Sequence, residues 1–190
     1  PETDPVLRPG AAPVDGSVLL AHPRRTLYGF TLEGSSGRRV WRVEAAHVPD
    51  QPVNLRPVPG SPLPFTDGTR ARTLLGLGLD WNAPGGLFVN LQLVGDRTAD
   101  AGARLYGPRH DLVGTLRVQR SFERETVRAS LEVLGSLTDH DRALRPELRW
   151  RVTDALALAA GADLLYGTRR GLFGQFRDES RGWLRATLTL

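Results

Sequence analysis

Apolar and polar residues alternate along most of the chain that follows residue 25. In the segment LFVNLQLVGD (Leu87–Asp96), leucine and valine at odd positions flank asparagine and glutamine at even positions. A period of two residues is typical of a β-strand with one apolar and one polar face. No long segment repeats its apolar residues at helical spacing, so the sequence predicts an all-β protein with little helix.

Nine segments share this alternation, and each has roughly ten residues, the length that a tilted strand needs to cross a bilayer. Residues 1–25 are rich in Pro and Gly and are predicted as a loop or poorly ordered N-terminal segment, whereas 26–190 hold the strands. Pro146 predicts a bulge or local irregularity, since proline interrupts a ladder. The nine predicted strands are Thr26–Gly34, Arg38–His47, Arg72–Trp81, Leu87–Asp96, Leu112–Phe122, Thr126–Leu137, Ala143–Val152, Ala155–Gly167 and Arg181–Leu190.

The connections between these strands alternate in length. Tight connections follow Gly34, Trp81, Phe122 and Val152, and longer ones follow His47, Asp96, Leu137 and Gly167. Barrels of the bacterial outer membrane have short periplasmic turns and long extracellular loops. The alternation therefore favours an antiparallel up-and-down transmembrane β-barrel, with about nine strands in this chain, over a soluble β-sandwich.

Aromatic residues lie near the ends of the predicted strands and share the apolar face. Indole and phenol rings favour the headgroup zone of a bilayer, where one end of the ring is apolar and the other wet. We therefore predict an aromatic girdle. Its members are Trp41, Trp81, Phe122 and Trp150 near the tight turns, and Tyr28 and Tyr166 near the opposite rim.

The polar faces carry charges of both signs, which suits a wet barrel lumen where opposite charges pair across neighbouring strands. Arg120 is an exception on the apolar face, near a tight turn where its guanidinium can reach the interface. The predicted lumen-lining residues are Arg42, Glu44, Arg117, Arg128, Glu132, Arg145, Glu147, Arg149, Arg151, Asp163 and Arg185.

The composition narrows the choice of function. All 25 basic residues are Arg, but they are spread along the chain and the net charge is only +4, so we expect no nucleic-acid partner. Without Cys, the chain has no disulfide and no thiolate metal site. The most apolar stretch, Ala155–Gly167, is too short for a spanning helix and carries Asp163.

No catalytic motif is present, and we predict neither an enzyme, a cofactor nor a metal site. The histidines are His22, His47, His110 and His140, all expected at or beyond the outer rim. TDHD (Thr138–Asp141) is interpreted as a polar loop. GLFGQF (Gly171–Phe176) is apolar for a loop and is expected either to constrict the lumen or to cover a partner. Loop arginines suited to lipopolysaccharide phosphates are Arg97, Arg104, Arg109, Arg142, Arg169, Arg170, Arg177 and Arg181.

Three stretches carry a class-level resemblance: WRVEAAHVPDQP, LLGLGLDWNAPGGLFVNLQLV and GLFGQFRDESRGWLRATLTL. They resemble the C-terminal half of large, porin-like outer-membrane β-barrel proteins of Gram-negative bacteria. The resemblance implies outer-membrane localisation and insertion by the barrel-assembly machinery, which acts on the last strand. Members usually end in Phe or Trp, whereas Leu190 stands here.

The expected function is a channel or porin component that passes small solutes, with a mild anion preference from lumen arginines, above all Arg145, Arg149 and Arg151. An odd strand count predicts a piece of a larger barrel, completed by an N-terminal half or a partner chain. Two alternatives stay open: a barrel scaffold or surface partner in a multi-protein assembly, and a soluble β-sandwich that binds acidic ligands.

Overall fold

The computed structural model of the protein describes residues 6–9, 18–21, 23–60, 65–99, 104–106, 109–169 and 171–189. These residues form eleven β-strands and one short 3-10 helix, Gly174–Glu179. The strands are β1 Val6–Pro9, β2 Val18–Ala21, β3 Tyr28–Ser36, β4 Arg39–Leu55, β5 Thr66–Ala83, β6 Leu87–Thr98, β7 His110–Phe122, β8 Val127–Ser136, β9 Asp141–Arg151, β10 Leu156–Tyr166 and β11 Arg181–Leu188.

Strands β3 to β11 form one nine-stranded sheet in which each strand pairs with its neighbours in the chain. The all-β class and the antiparallel up-and-down order predicted from the alternation are confirmed. The sheet is not closed into a barrel: β3 and β11 are its two edges, and they do not pair with each other in the described part of the chain.

The first 25 residues contain a separate two-stranded pairing. Val6 of β1 lies opposite Ala21 of β2, and the pairing is antiparallel. Both strands lie in the segment 1–25, for which the sequence predicts a loop or poorly ordered structure.

The alternation of connection lengths is present, with one exception. Residues 37–38, 84–86, 123–126 and 152–155 make the short connections, whereas 56–65, 99–109 and 167–180 make long ones. The connection after Leu137 was predicted to be longer, and this is wrong, because β9 begins at Asp141 and leaves only the turn 137–140. His140 adopts a φ of 55° in that turn.

Two strands extend well past their predicted ends. β4 has 17 residues and ends at Leu55, and β5 has 18 and begins at Thr66. The prolines at 49 and 52 obscure the alternation of β4, although a proline is tolerated where no ladder hydrogen bond is required of it.

Pro146 interrupts one of its two ladders without shifting the register. On the β8 side it lies directly opposite Leu131 in a continuous pairing. On the β10 side, pairing stops after Gly161 opposite Glu147 and resumes at Leu164 opposite Leu144, with the register unchanged. The predicted irregularity is thus a local gap, as expected for a residue without an N–H.

The chain divides into two compact units. The first comprises Pro1–Phe30, Glu44–Leu75 and Asp96–Asp111. In it, Val48 and Leu55 are buried, and Leu55 forms an isolated bridge with Leu105. The second comprises Thr31–Val43, Gly76–Gly95 and Leu112–Leu190, and its buried apolar residues among those described are Ala83 and Ala143.

No helix formed by the described residues has the length and apolar character needed to cross a bilayer.

Candidate functional site

Many large apolar residues on one face of the sheet are exposed, and the described residues form no second large sheet. Register places one row of this face across five strands of the second unit, from β7 to β11. The row consists of Phe122, Val127, Trp150, Leu158 and Ala186. The exposed fraction is 50% for Trp150 and 52% for Leu148, which lies two residues earlier on the same face. Contiguous apolar patches of this extent mark surfaces that contact another apolar phase or partner.

The predicted girdle residues lie near strand ends, as their sequence positions required. Trp41 is the third residue of β4, Phe122 ends β7 and Trp150 is the last but one of β9. Trp81 lies two residues before the end of β5, and Arg39 lies over its ring, 5.5 Å from the centroid. At the opposite strand ends, Tyr28 begins β3 and Tyr166 ends β10, both exposed.

Arg120, the charged exception on the apolar face, lies beside an aromatic ring. Its guanidinium carbon is 5.1 Å from the centroid of the Phe122 ring, at the turn end of β7. A cation above a ring face gains about 0.5–1 kcal/mol at an exposed site. The ring therefore offers Arg120 a partner at the end of the strand.

A row of alternating charge crosses the polar face of the second unit. Arg117 of β7 lies opposite Glu132 of β8, which lies opposite Arg145 of β9. Asp163 of β10 lies opposite Arg181 of β11. The Arg145 guanidinium, 3.5 Å from the Asp163 carboxylate, connects the two pairings. Opposite charges thus meet across neighbouring strands, the arrangement that favours antiparallel pairing.

Asp163 is the centre of this row because two guanidinium groups share its carboxylate. Nε of Arg181 donates to Oδ2 at 3.1 Å, and Nε of Arg145 lies 3.5 Å from Oδ1. The Asp163 side chain is only 24% exposed, whereas Leu184 on the other face of β11 is 87% exposed. This carboxylate is therefore more protected from solvent than the leucine on the opposite face, whereas the Arg181 side chain is 74% exposed.

The charge row lies in a groove of about 440 Å³ on the polar face. Trp183 lies directly opposite Gly161, and its ring occupies the space that a side chain at Gly161 would need. Arg185 lies over the Trp183 ring, 4.8 Å from its centroid. The lining residues are Arg117, Ser130, Glu132, Arg145, Pro146, Glu147, Ala162, Asp163, Arg181, Trp183, Leu184 and Arg185.

A second, smaller groove on the same face is strongly basic. It has a volume of about 210 Å³ and is lined by Glu125, Thr126, Arg128, Arg149, Arg151 and Ala157. Arg128 lies directly opposite Arg149. Like charges in directly opposed positions destabilise a strand pair. The described residues provide no side-chain partner for these three arginines.

The remaining predicted lumen residues are on β4. Arg42 donates from Nε and Nη2 to Oε2 of Glu33 at 2.9 and 2.7 Å, while Glu44 is exposed. Glu33 was not among the predicted lumen residues, although on β3 it alternates with the apolar positions and so lies on the polar face. Sequence analysis also missed the pair formed by Arg72 and Asp96, in which Arg72 Nε lies 3.0 Å from Asp96 Oδ2.

The loop before β11 is fastened to the sheet by Asp141. Its carboxylate accepts hydrogen bonds from the backbone N–H groups of Phe173 and Gly174 at 2.7 and 2.8 Å. Asp141 and Ala143 have the same parity as Arg145, so the loop lies on the polar face. GLFGQF was expected either to constrict the lumen or to cover a partner, and both stay predictions; the structure shows the segment held against Asp141.

The described histidines have separate surroundings. Nδ1 of His47 lies 2.9 Å from the Thr73 hydroxyl, and His110 and His140 are exposed, while His22 lies outside the described residues. Within the described chain, no three His, Asp or Glu side chains are placed to hold a metal ion.

The predicted loop arginines have varied surroundings. Arg181 is the first residue of β11 and pairs with Asp163, so its placement in a loop was wrong. Arg142 is in β9 and lies over the Tyr166 ring at 5.5 Å. Arg104 donates to the carbonyl of Arg56 at 3.0 Å. Arg97 lies at the end of β6, and Arg109 directly precedes β7. Arg169 and Arg177 lie near the Asp178 carboxylate. Arg170 is outside the described residues.

No family model matches this sequence, and neither a curated protein nor a solved structure matches it.

Proposed function

We propose that this chain is part of an outer-membrane β-barrel of a Gram-negative bacterium and passes small solutes through its lumen. The observation that carries the proposal is an exposed apolar face on a sheet whose other face carries a row of paired charges. Leu148 and Leu184 are open to the surroundings, whereas the carboxylate of Asp163 is protected between two arginines. Lipid stabilises an exposed apolar face, and a wet lumen stabilises paired charges.

The polar face lines the proposed lumen. The ion selectivity of this lumen depends on which of its arginines are neutralised by a neighbouring carboxylate. Arg145 and Arg181 share the Asp163 carboxylate, so their fields are partly cancelled. Arg149 and Arg151 form no ion pair with a described acid, although Glu125 lines the same groove, and they contribute a positive field. The proposed mild preference for anions therefore rests on these two residues more than on Arg145.

The two open edges support a larger assembly. β3 and β11 each have a strand partner on one side only. Exposed edges invite pairing with further strands. We propose that an N-terminal half or a partner chain completes the barrel, that lipid and lipopolysaccharide surround it, and that the barrel-assembly machinery inserts it.

The same open edges favour a second candidate, a scaffold in a multi-protein outer-membrane assembly. This candidate needs no conductance and predicts a stable partner that co-purifies in detergent. A soluble β-sandwich, the third possibility, needs a second layer over the apolar face, and the described residues supply none.

Planar bilayers test the proposed function. The purified chain, with any partner that co-purifies, is added in detergent, and the reversal potential is measured across a salt gradient. The expected result is stepwise conductance with a reversal potential on the anion side. Conductance without anion preference contradicts the charge argument. Absence of conductance from a preparation that floats with lipid vesicles favours the scaffold, and failure to float contradicts the membrane proposal itself.

A further inference from the structure

We infer that Arg128, Arg149 and Arg151 form a binding site for a soluble phosphate-type oxyanion. The inference deepens the proposed function, on which it rests for the view that solutes reach this face. The three arginines come from the adjacent strands β8 and β9 and line one groove.

The first observation is that Arg128, Arg149 and Arg151 repel one another and form no ion pair with a described acid. Arg128 and Arg149 are directly opposite each other, and Arg151 follows two residues later on the same face. Two other polar-face arginines form ion pairs with acids: Arg42 with Glu33, and Arg145 with Asp163. An anion between the three guanidinium groups would convert the repulsion into attraction.

The second support is the size and lining of the groove. Ala157 of β10 lies opposite Arg151, and Ala159 lies opposite Arg149, so only methyl groups stand on that side. The resulting space of about 210 Å³ accommodates a small tetrahedral anion. Glu125 is the one acid that lines this groove among the described residues, which leaves an excess of positive charge.

The third support is the chemistry of the donors. A guanidinium presents its N–H groups as a planar fork that matches two oxygens of a phosphate, and three forks exceed what a monovalent halide can use. The Thr126 hydroxyl donates to the Glu123 carbonyl at 2.8 Å, so its own hydrogen is not offered to the anion. The side-chain donors that bind the oxyanion are therefore the three arginines.

The test measures binding of inorganic phosphate by titration calorimetry at low salt, with the complete chain in detergent micelles. We expect saturable binding that chloride displaces only weakly. Arg149→Gln should weaken it at least tenfold, the loss expected for removing a charge-assisted contact. Arg124→Gln is the matched control: it removes the same charge from the neighbouring turn, is not part of the groove lining and should leave affinity unchanged.

The outcomes separate the site from the channel. No saturable binding by the unaltered chain, or equal weakening by Arg149→Gln and Arg124→Gln, overturns the site. Circular dichroism of each variant establishes that the strands persist. If phosphate binds as expected while bilayers carry no current, the oxyanion site stands and the transport function fails. If current flows without phosphate binding, the transport function stands and the oxyanion site fails. Vesicles with and without phosphate-bearing headgroups distinguish a lipid ligand, whose selective binding would contradict a soluble one.

Discussion

The carboxylate of Asp141 accepts a hydrogen bond from the backbone N–H of Gly174, at 2.8 Å, across 33 positions of the chain. Asp141 is 1% exposed, and the neighbouring N–H of Phe173 donates to its other oxygen. A side chain at Gly171 would clash with the Asp141 carboxylate, and one at Gly174 would clash with the backbone of Gly167 and Thr168. A single carboxylate thus fastens a fourteen-residue connection, 167–180, to the polar face.

Asp141→Ala should release this loop. Both hydrogen bonds disappear and two N–H groups lose their acceptor, at a cost of roughly 1–3 kcal/mol for each group that stays buried. We expect trypsin to cleave after Arg177 several times faster than in the unaltered chain. Asp139→Ala, in the adjacent exposed turn, is the control and should leave the cleavage rate unchanged. Equal rates for all three proteins would mean that the loop is held by other contacts.

Asp163→Asn should raise the anion preference of the proposed channel. The substitution removes the charge that Arg145 and Arg181 share while it keeps the size of the side chain. The polar face then gains one net positive charge, and the reversal potential should move further to the anion side. Asp154→Asn, in the exposed turn 152–155, provides the matched change of net charge. A shift of the same size in both variants would show that the field at Asp163 does not reach the path of the ions.

How far the sequence predicts this molecule depends on whether the determining contacts are local. Alternation in segments such as Leu87–Asp96 is local, and it predicted the strands, their faces and their order. The contact between Asp141 and Gly174 is not local, and no periodicity could indicate it. Arg181 begins the predicted strand Arg181–Leu190 and was also counted with the loop arginines; β11 begins at this residue, so the strand prediction is the correct one. Closure depends on pairing beyond β3 and β11, which alternation does not encode.

Gly34→Ala should destabilise the sheet because the ring of Trp41 already occupies the place of the missing side chain. Overpacking of this kind costs about 1–3 kcal/mol. Gly29→Ala on the same strand is the control, since a Cβ there meets its nearest neighbour, a Leu27 methyl carbon, at an ordinary 3.5 Å. Urea unfolding midpoints in detergent check the pair. Combining Gly34→Ala with Trp41→Leu should recover most of the lost stability. If it does not, the destabilisation arises from the backbone at position 34 and not from a clash with the Trp41 ring.

Leu148→Arg tests which environment the apolar face occupies. Leu148 is at the middle of β9, lies opposite Ala129 and Ala160, and is 52% exposed. At an exposed position of a soluble protein such a substitution changes the unfolding free energy by less than about 0.5 kcal/mol. On a lipid-facing strand near the bilayer midplane it costs about 2–4 kcal/mol.

The neighbouring residue provides the control for this experiment. Glu147→Arg introduces the same side chain one position earlier, on the polar face, where water remains available in a barrel lumen. Folding into lipid vesicles, followed by the mobility of unheated samples on a gel, should be impaired for Leu148→Arg and largely retained for Glu147→Arg. If both variants fold equally well, or if the chain folds fully without lipid, the leucine face does not contact a membrane. The adjacent positions then distinguish a lipid-facing surface from one that is merely exposed to water.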